Sequence, residues 1–211
     1  NSGEYKLMGL APYGEPKYTK LIKDKLIDIK EDGTFKLDIS YFKYHRGFRM
    51  TSRKFHKLFG RSPRKGETEL SQFHMDIAAS IQAVTEEVVL KLAKSLREET
   101  GVKNLCLAGG VALNCVANGK LLRENIFDNI WIQPASGDAG SSLGGALIGW
   151  HQYHQKERTP NPNDSMKGTY LGPEFGNHEI IKYLTKINAP FHVQNDAELF
   201  EHLAEELDNG H

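Results

Sequence analysis

Asp138 stands alone among small residues in IWIQPASGDAGSSLGGALIGW, residues 130–150. The stretch opens apolar, turns through Pro134, Ser136 and Gly137, and closes as a glycine-laced helix. A carboxylate at a strand-to-helix turn has three chemical uses. It can cap the helix by accepting from free N–H groups. It can hold a divalent cation beside a nucleotide phosphate. It can act as a general base. Spacing alone favours the cap. The glycines that follow, Gly140, Gly144, Gly145 and Gly149, each cost a helix about 1 kcal/mol relative to alanine. That cost points to close backbone packing or close ligand approach.

A second turn of the same kind lies in NLCLAGGVALNCVANGKLLREN, residues 104–125. Gly109-Gly110 lets a ligand approach the backbone because no Cβ blocks it. Asn114, about one turn into the predicted helix, could reach a ribose or base bound there. The alternative is that the glycines only turn the chain and Asn114 is an ordinary surface residue.

The remaining chemistry-bearing residues form no constellation. The chain lacks GxGxxG after a strand and lacks GxxxxGK[ST], so neither the dinucleotide fingerprint nor the P-loop is indicated. His151 and His154 read as surface histidines, and His74 as structural. Cys106 reads as a buried strand residue and Cys115 as a helix-packing one.

The elements that must position the two turns follow from pattern. Residues 104–108 and 130–133 read as short strands, the first fully buried, and a helix spans about 111–123. Strand–turn–helix–strand–turn–helix predicts a parallel pair with a right-handed crossover. Both turns then share the carboxyl edge of one sheet, where ligands of open α/β sheets bind, and each feeds a helix N-terminus with free N–H groups.

Apolar residues at Leu70, Phe73, Ile77, Ile81, Val84, Val88, Leu92 and Leu96 predict one long helix over 69–100, stopped by Gly101. It is expected to pack on the parallel pair through Phe73, Ile77, Ile81, Val84 and Val88. Upstream, residues 3–18 predict a short helix ending near Leu10 and a Pro/Gly turn. Residues 18–29 look helical and GTFKLD looks like a strand; the next thirty residues show no period. RTPNPNDSMKG, residues 158–168, is the boundary candidate. Beyond it a helix, a short strand at FHV and an acidic helix are predicted.

Composition narrows the function. Lysine plus arginine and aspartate plus glutamate both number 27, which argues against a general nucleic-acid binder. Two cysteines make no disulfide framework and suggest a reducing cytoplasm. No apolar run approaches the roughly 18 residues of a membrane span, and no signal-peptide pattern is present. The charge is unevenly spread. Arg46 to Lys65 holds eight Lys or Arg and no acid, and Ile187 onward holds six acids and no Lys or Arg. The basic stretch is a solvated loop region, or a surface for an anionic ligand or acidic partner domain. The chain opens Asn1-Ser2-Gly3 rather than with methionine, as a fragment or processed chain would.

Three segments in order, GEYKLMGLAPYGEP, LAGGVALNCVANGKLL and PASGDAGSSLGGAL, resemble the O-carbamoyltransferase family, which includes nodulation-factor and antibiotic carbamoyltransferases. YLGPEF is similar to the opening of that family's C-terminal domain, so the resemblance runs through nearly the whole chain. It implies an α/β fold: the second half of an actin-like, ribonuclease-H-like domain over 1–157, with the long helix on a small mixed sheet. A linker at 158–168 and the start of an α+β adenylate-forming domain at 169–211 would follow. It implies that carbamoyl phosphate and ATP give carbamoyl-adenylate. The carbamoyl group then passes to a hydroxyl of a small-molecule or oligosaccharide acceptor.

The resemblance also implies site residues. Asp138 matches the catalytic aspartate that holds an iron-type divalent metal. Asn114 matches the nucleoside-contacting asparagine after Gly109-Gly110, and Lys6 and Gly14 fall in the segment lining the nucleoside's other side. The family's HxxxH pair of metal-ligating histidines is absent here, so the expectation is an internal fragment with an incomplete metal site. An oligomer is left open. Two rival readings stand beside this one: a sugar-kinase-like phosphotransferase of the same superfold, and a non-catalytic nucleotide-binding or partner-binding module.

Overall fold

The structure, a computed structural model, describes residues 4–66, 68–161, 163 and 166–210. Gly3, where the first helix is predicted to open, lies outside the described residues, as do Pro162, Asp164 and Ser165 of the predicted boundary. The chain divides into two units between Pro160 and Asn161.

The first unit is mixed α/β, built along one helix. Helix α1 (Glu4–Leu10) runs into a 3-10 turn, Ala11–Tyr13, and is followed by α2 (Thr19–Lys25), β1 (Ile27–Ile29) and β2 (Phe35–Leu37). A short helix α3 (Arg53–Leu58) precedes the 29-residue α4 (Gln72–Thr100). Then come β3 (Asn104–Leu107), α5 (Cys115–Arg123), β4 (Asn129–Ile132) and α6 (Asp138–Ile148).

β1 and β2 pair antiparallel, Ile27 opposite Leu37 and Ile29 opposite Phe35. The predicted helix over 18–29 therefore ends early. Leu26 closes α2 by donating its N–H to the Ile22 carbonyl, and Ile27 to Ile29 turn into a strand because β2 offers them a partner. β3 and β4 pair parallel, Asn104 opposite Asn129 and Leu107 opposite Ile132, as predicted. Among the described residues there are two separate two-stranded sheets, not one mixed sheet.

α4 starts at Gln72 rather than 69, because Ser71 sits extended as its N-cap and donates its N–H to His74 Nδ1 at 3.0 Å. His74 is thus structural. Gly101 ends the helix in the left-handed region at φ +64°. The helix carries two cores, one on each half. Val84 and Ile81 join Ile22, Leu26 and Tyr41, with Ile27, Ile29, Phe55 and Phe59 around them. Ala93, Val89 and Leu90 join Leu105, Leu121 and Phe127, with Leu107 and Ile130. Phe73, Ile81 and Val84, expected on the parallel pair, therefore pack elsewhere. Phe73 instead meets Tyr18 and Phe59 edge-on, and the sheet is held one to three turns further along. Leu92 and Leu96, predicted on the apolar face, are exposed.

The parallel pair is covered by helices on one face only. Period-two alternation then sends Leu105 and Leu107 inward and Cys106 outward, next to Trp131, which is 50% exposed. Cys106 is not the buried residue predicted from the apolar run.

The second unit contains α7 (Asn177–Lys186) and α8 (Asp196–Asp208). FHV at 191–193 forms no strand. Among the described residues of that unit no other strand exists to pair with it, and a lone three-residue strand is not stable. No helix of the described residues is long and apolar enough to cross a membrane.

Candidate functional site

The two turns meet at the carboxyl edge of β3 and β4. Gln133 donates its N–H to the Leu107 carbonyl at 3.0 Å, extending the ladder by one bond. Gly109 then donates its N–H to the Ser136 carbonyl at 2.8 Å. Gly109 lies at φ +96°, ψ 162°, a conformation essentially confined to glycine. Its N–H is spent on the neighbouring turn, so that group is not offered to a ligand.

The helix after Gly109 does not start at Val111. Gly110–Leu113 form a 3-10 turn and α5 begins only at Cys115. Asn114 is its N-cap, not a residue one turn in. Its Oδ1 accepts from the Ala117 N–H at 3.0 Å and from Gln82 Nε2 at 3.1 Å, while its Nδ2 donates to Gln82 Oε1 at 2.8 Å. Cys115, predicted to pack within the helix, is exposed; its Sγ lies 3.9 Å from Met8 Sδ of α1. This contact sets the helix that carries Lys6 beside the start of α5. Lys6 itself is exposed, its Nζ 6.0 Å from the Tyr5 ring centre.

At the second turn Gly137 is the N-cap of α6, and no side chain caps the helix. Asp138 occupies the first helical position and is exposed, and its carboxylate has no hydrogen bond or ion pair to any described residue. The cap role that spacing favoured is not the one it plays. Ser136 is buried, and its hydroxyl has no hydrogen-bond partner among the described residues. Of the four glycines after Asp138, only Gly140 is packed tightly: a Cβ there would lie 1.9 Å from the Ala135 carbonyl oxygen. Gly144, Gly145 and Gly149 face open space.

Gly14 has a packing role that its sequence context does not announce. A Cβ there would sit 2.1 Å from the Met75 carbonyl of α4. Next to it, the buried Asp76 carboxylate accepts from the Glu15 N–H at 2.9 Å, from Gln72 Nε2 at 2.8 Å and from Lys17 Nζ at 3.1 Å. These bonds, the Glu15 N–H first, hold the Asp76 carboxyl below the usual aspartate range. The Asp76 carboxylate in turn raises the Lys17 ammonium. Ser80, one turn on, accepts from the Tyr18 N–H at 2.9 Å and donates to the Asp76 carbonyl at 2.6 Å. The sequence reading missed Asp76, Ser80 and Gln82. A signal was present: Asp76 and Ser80 are an i, i+4 polar pair beside the apolar stripe, and such a pair is buried only when it has work to do.

His151 and His154 belong to the surface. His151 Nδ1 meets the Lys156 carbonyl at 2.9 Å, and His154 lies against the rings of Trp150 and Tyr153.

Residues 1–147 match the family described as Carbamoyltransferase N-terminus. The chain belongs to the carbamoyltransferase family. It is 58% identical over 212 residues to the protein sll1178 of Synechocystis, matching all of this chain and 34% of that one. It is 33% identical over 208 residues to nodulation protein NolO of Bradyrhizobium diazoefficiens, 98% of this chain and 35% of that one. Nodulation protein NolNO of Sinorhizobium fredii is 35% identical over 179 residues, 85% of this chain and 24% of that one. The chain thus spans about a third of the length of the curated relatives it matches over nearly its whole extent.

The donors of this carbamoyltransferase-family chain do not by themselves make a metal centre. Among the described residues no group of three or more His, Cys, Asp or Glu side chains converges. Asp138 offers one carboxylate where a transition metal takes about four to six donors. What the edge does offer is an unpaired carboxylate, the uncapped start of α6 and a half-buried amide, with both turns tied together.

Proposed function

We propose that this chain takes part in transferring a carbamoyl group from carbamoyl-adenylate, made from carbamoyl phosphate and ATP, to a hydroxyl of a small-molecule or oligosaccharide acceptor. The observation that carries the reading is the parallel β3–β4 pair. In a carbamoyltransferase-family chain it sets the Gly109-Gly110 turn and the Asp138 turn side by side, joined by the Gly109–Ser136 hydrogen bond.

The nucleotide lies at this edge, with Gly110 and Asn114 against it and α1, with Lys6, on its other side. Gly14 contributes indirectly, by letting the turn after α1 sit on α4. The uncapped N–H groups and positive dipole end of α6 face the phosphate or the charge that develops on the carbonyl oxygen. The acceptor hydroxyl oxygen attacks the carbamoyl carbon, the bond to the AMP phosphate oxygen breaks, and the hydroxyl proton leaves. Asp138, without an internal partner, takes that proton or orients the hydroxyl. Should an iron-type metal assist, Asp138 is the donor to it among the described residues, and the rest come from outside them. Beyond the site, the reading extends to an actin-like fold for the first unit, the beginning of an adenylate-forming domain in the second, and a cytoplasmic setting.

The test is turnover with carbamoyl phosphate, ATP and a panel of hydroxyl acceptors. It is run on the Synechocystis relative with this chain in place of its matching third. Carbamoylated product with AMP release supports the proposal. Phosphorylated acceptor with ADP indicates a sugar-kinase-like phosphotransferase, and nucleotide binding without turnover a non-catalytic module.

A further inference from the structure

Four side chains run from the middle of α4 to the start of α5 in one hydrogen-bonded line. Lys120 Nζ donates to Glu86 Oε2 at 3.1 Å, and Glu86 Oε1 accepts from Gln82 Nε2 at 2.9 Å. Gln82 and Asn114 then exchange two bonds, Gln82 Nε2 to Asn114 Oδ1 at 3.1 Å and Asn114 Nδ2 to Gln82 Oε1 at 2.8 Å. Asn114 Oδ1 also accepts from the Ala117 N–H at 3.0 Å.

An amide pair of this kind is normally ambiguous, because both members can flip together and still pair. Here each end of the line removes the ambiguity. The Glu86 carboxylate, already paired with Lys120, can only accept, so Gln82 must turn its nitrogen toward it. The Ala117 N–H can only donate, so Asn114 must turn its oxygen toward α5. With both amides fixed, one N–H donor of the pair stays open, and one acceptor position of the buried Gln82 Oε1. Both Gln82 N–H groups are used, and both acceptor positions of Asn114 Oδ1 are used. One Nδ2–H of Asn114 has no partner among the described residues. Gln82 itself is buried, whereas Asn114 is half-exposed at the edge where the two turns meet.

We infer that Gln82 is a positioning residue: it locks the Asn114 amide so that a single N–H donor faces the nucleotide, and the nucleotide atom it meets is a hydrogen-bond acceptor. The inference rests on the nucleotide site proposed above. An acceptor means a ribose oxygen, a ring nitrogen or a phosphate oxygen. A donor such as an exocyclic amine would find no acceptor on Asn114.

The experiment uses this chain, isotopically labelled, with AMP as the probe. Three variants are compared by calorimetry and by the NMR signals of the Asn114 side-chain amide. Asn114→Asp keeps an oxygen for the Ala117 N–H but replaces the free donor with an acceptor. Gln82→Leu removes the pair, and Gln82→Glu keeps the length but sets an acceptor against Asn114 Oδ1 and a second carboxylate against Glu86. In the wild type, one Asn114 amide hydrogen exchanges slowly and the other shifts when AMP is added. Gln82→Leu is expected to lose that slow hydrogen, and both Gln82 variants to bind AMP at least tenfold more weakly, with helix content by circular dichroism unchanged. Asn114→Asp is expected to lose binding. If it does so while both Gln82 variants keep wild-type affinity and Asn114 signals, the inference is overturned and the site stands. If Asn114→Asp binds AMP normally, or the wild type binds none, the site reading fails and the inference with it.

Discussion

The Asp76 carboxylate reaches across from α4 to accept the backbone N–H of Glu15, 61 residues away in sequence, at 2.9 Å. Lys17 and Gln72 complete its shell, and Ser80 holds Tyr18 one turn further on. The segment that carries the first family motif is therefore fixed to the long helix by buried polar bonds as well as by apolar contact. Because the folded carboxyl is held below the ordinary aspartate range, its stabilisation is present above that range and is lost as pH falls through the folded value. Wild type and Asp76→Asn should differ in thermal stability at pH 7, wild type being the more stable. The gap should shrink as pH drops below about 4, where the unfolded aspartate begins to protonate. A gap that stays constant down to pH 2 would show that the charge of Asp76 contributes nothing.

Gly14 and Gly140 are fixed by close approach to backbone that cannot move aside, and Gly144 is not. A Cβ at Gly14 would stand 2.1 Å from the Met75 carbonyl, and at Gly140 1.9 Å from the Ala135 oxygen. Gly14→Ala and Gly140→Ala should each cost about 2 kcal/mol or more. Gly144 meets nothing within 4 Å inside α6, so Gly144→Ala should stabilise by up to about 1 kcal/mol through helix propensity alone. Urea unfolding of the three variants checks the opposite signs.

What the sequence announced was local. The parallel pair and its two turns were readable because each is a strand, a glycine break and a helix in continuous order. α4 was readable because its period runs unbroken to Gly101. What stayed hidden depends on partners far away in the chain. Ile27–Ile29 continue a helical-looking pattern and become a strand only because β2 returns beside them. Cys106 lies in an apolar run, yet its exposure follows from which sheet face the helices cover. Asn114 was found as a candidate, but its place as N-cap and its pairing with Gln82, 32 residues earlier, were not. Asp138 looked like a cap from its spacing in the turn before the helix. The cap position instead falls one residue earlier, on Gly137, and Asp138 is the first residue of the helix.

Gly109 and Gly110 can be separated by alanine. Gly109 needs φ +96°, so Gly109→Ala should cost about 1–3 kcal/mol without any steric clash. Gly110 is outside the left-handed region and has nothing within 4 Å of a Cβ, so Gly110→Ala should fold as well as wild type. The new methyl would then stand where the nucleotide approaches the backbone. AMP affinity should fall about tenfold, the equivalent of about 1.4 kcal/mol. Unchanged affinity in a stable Gly110→Ala protein would remove the nucleotide from that turn.

Asp138 separates a reactive carboxylate from a structural one. It is exposed at the first position of α6 and bonded to no described residue. Asp138→Asn keeps the size and removes the charge, and nothing inside the fold depends on that charge. The stability change should lie within about 0.5 kcal/mol, as for an ordinary surface site. AMP affinity should hold or rise slightly, since one negative charge beside the phosphate is gone. Carbamoyl transfer should fall by about a hundredfold or more, the usual size of a lost general acid–base contribution. The measurement is made in the Synechocystis relative carrying this segment, with carbamoyl-adenylate formation and acceptor carbamoylation followed separately. Adenylate formation should continue while transfer stops, because the two steps use different groups. A variant that folds normally and transfers at the wild-type rate would leave Asp138 without a role in the reaction.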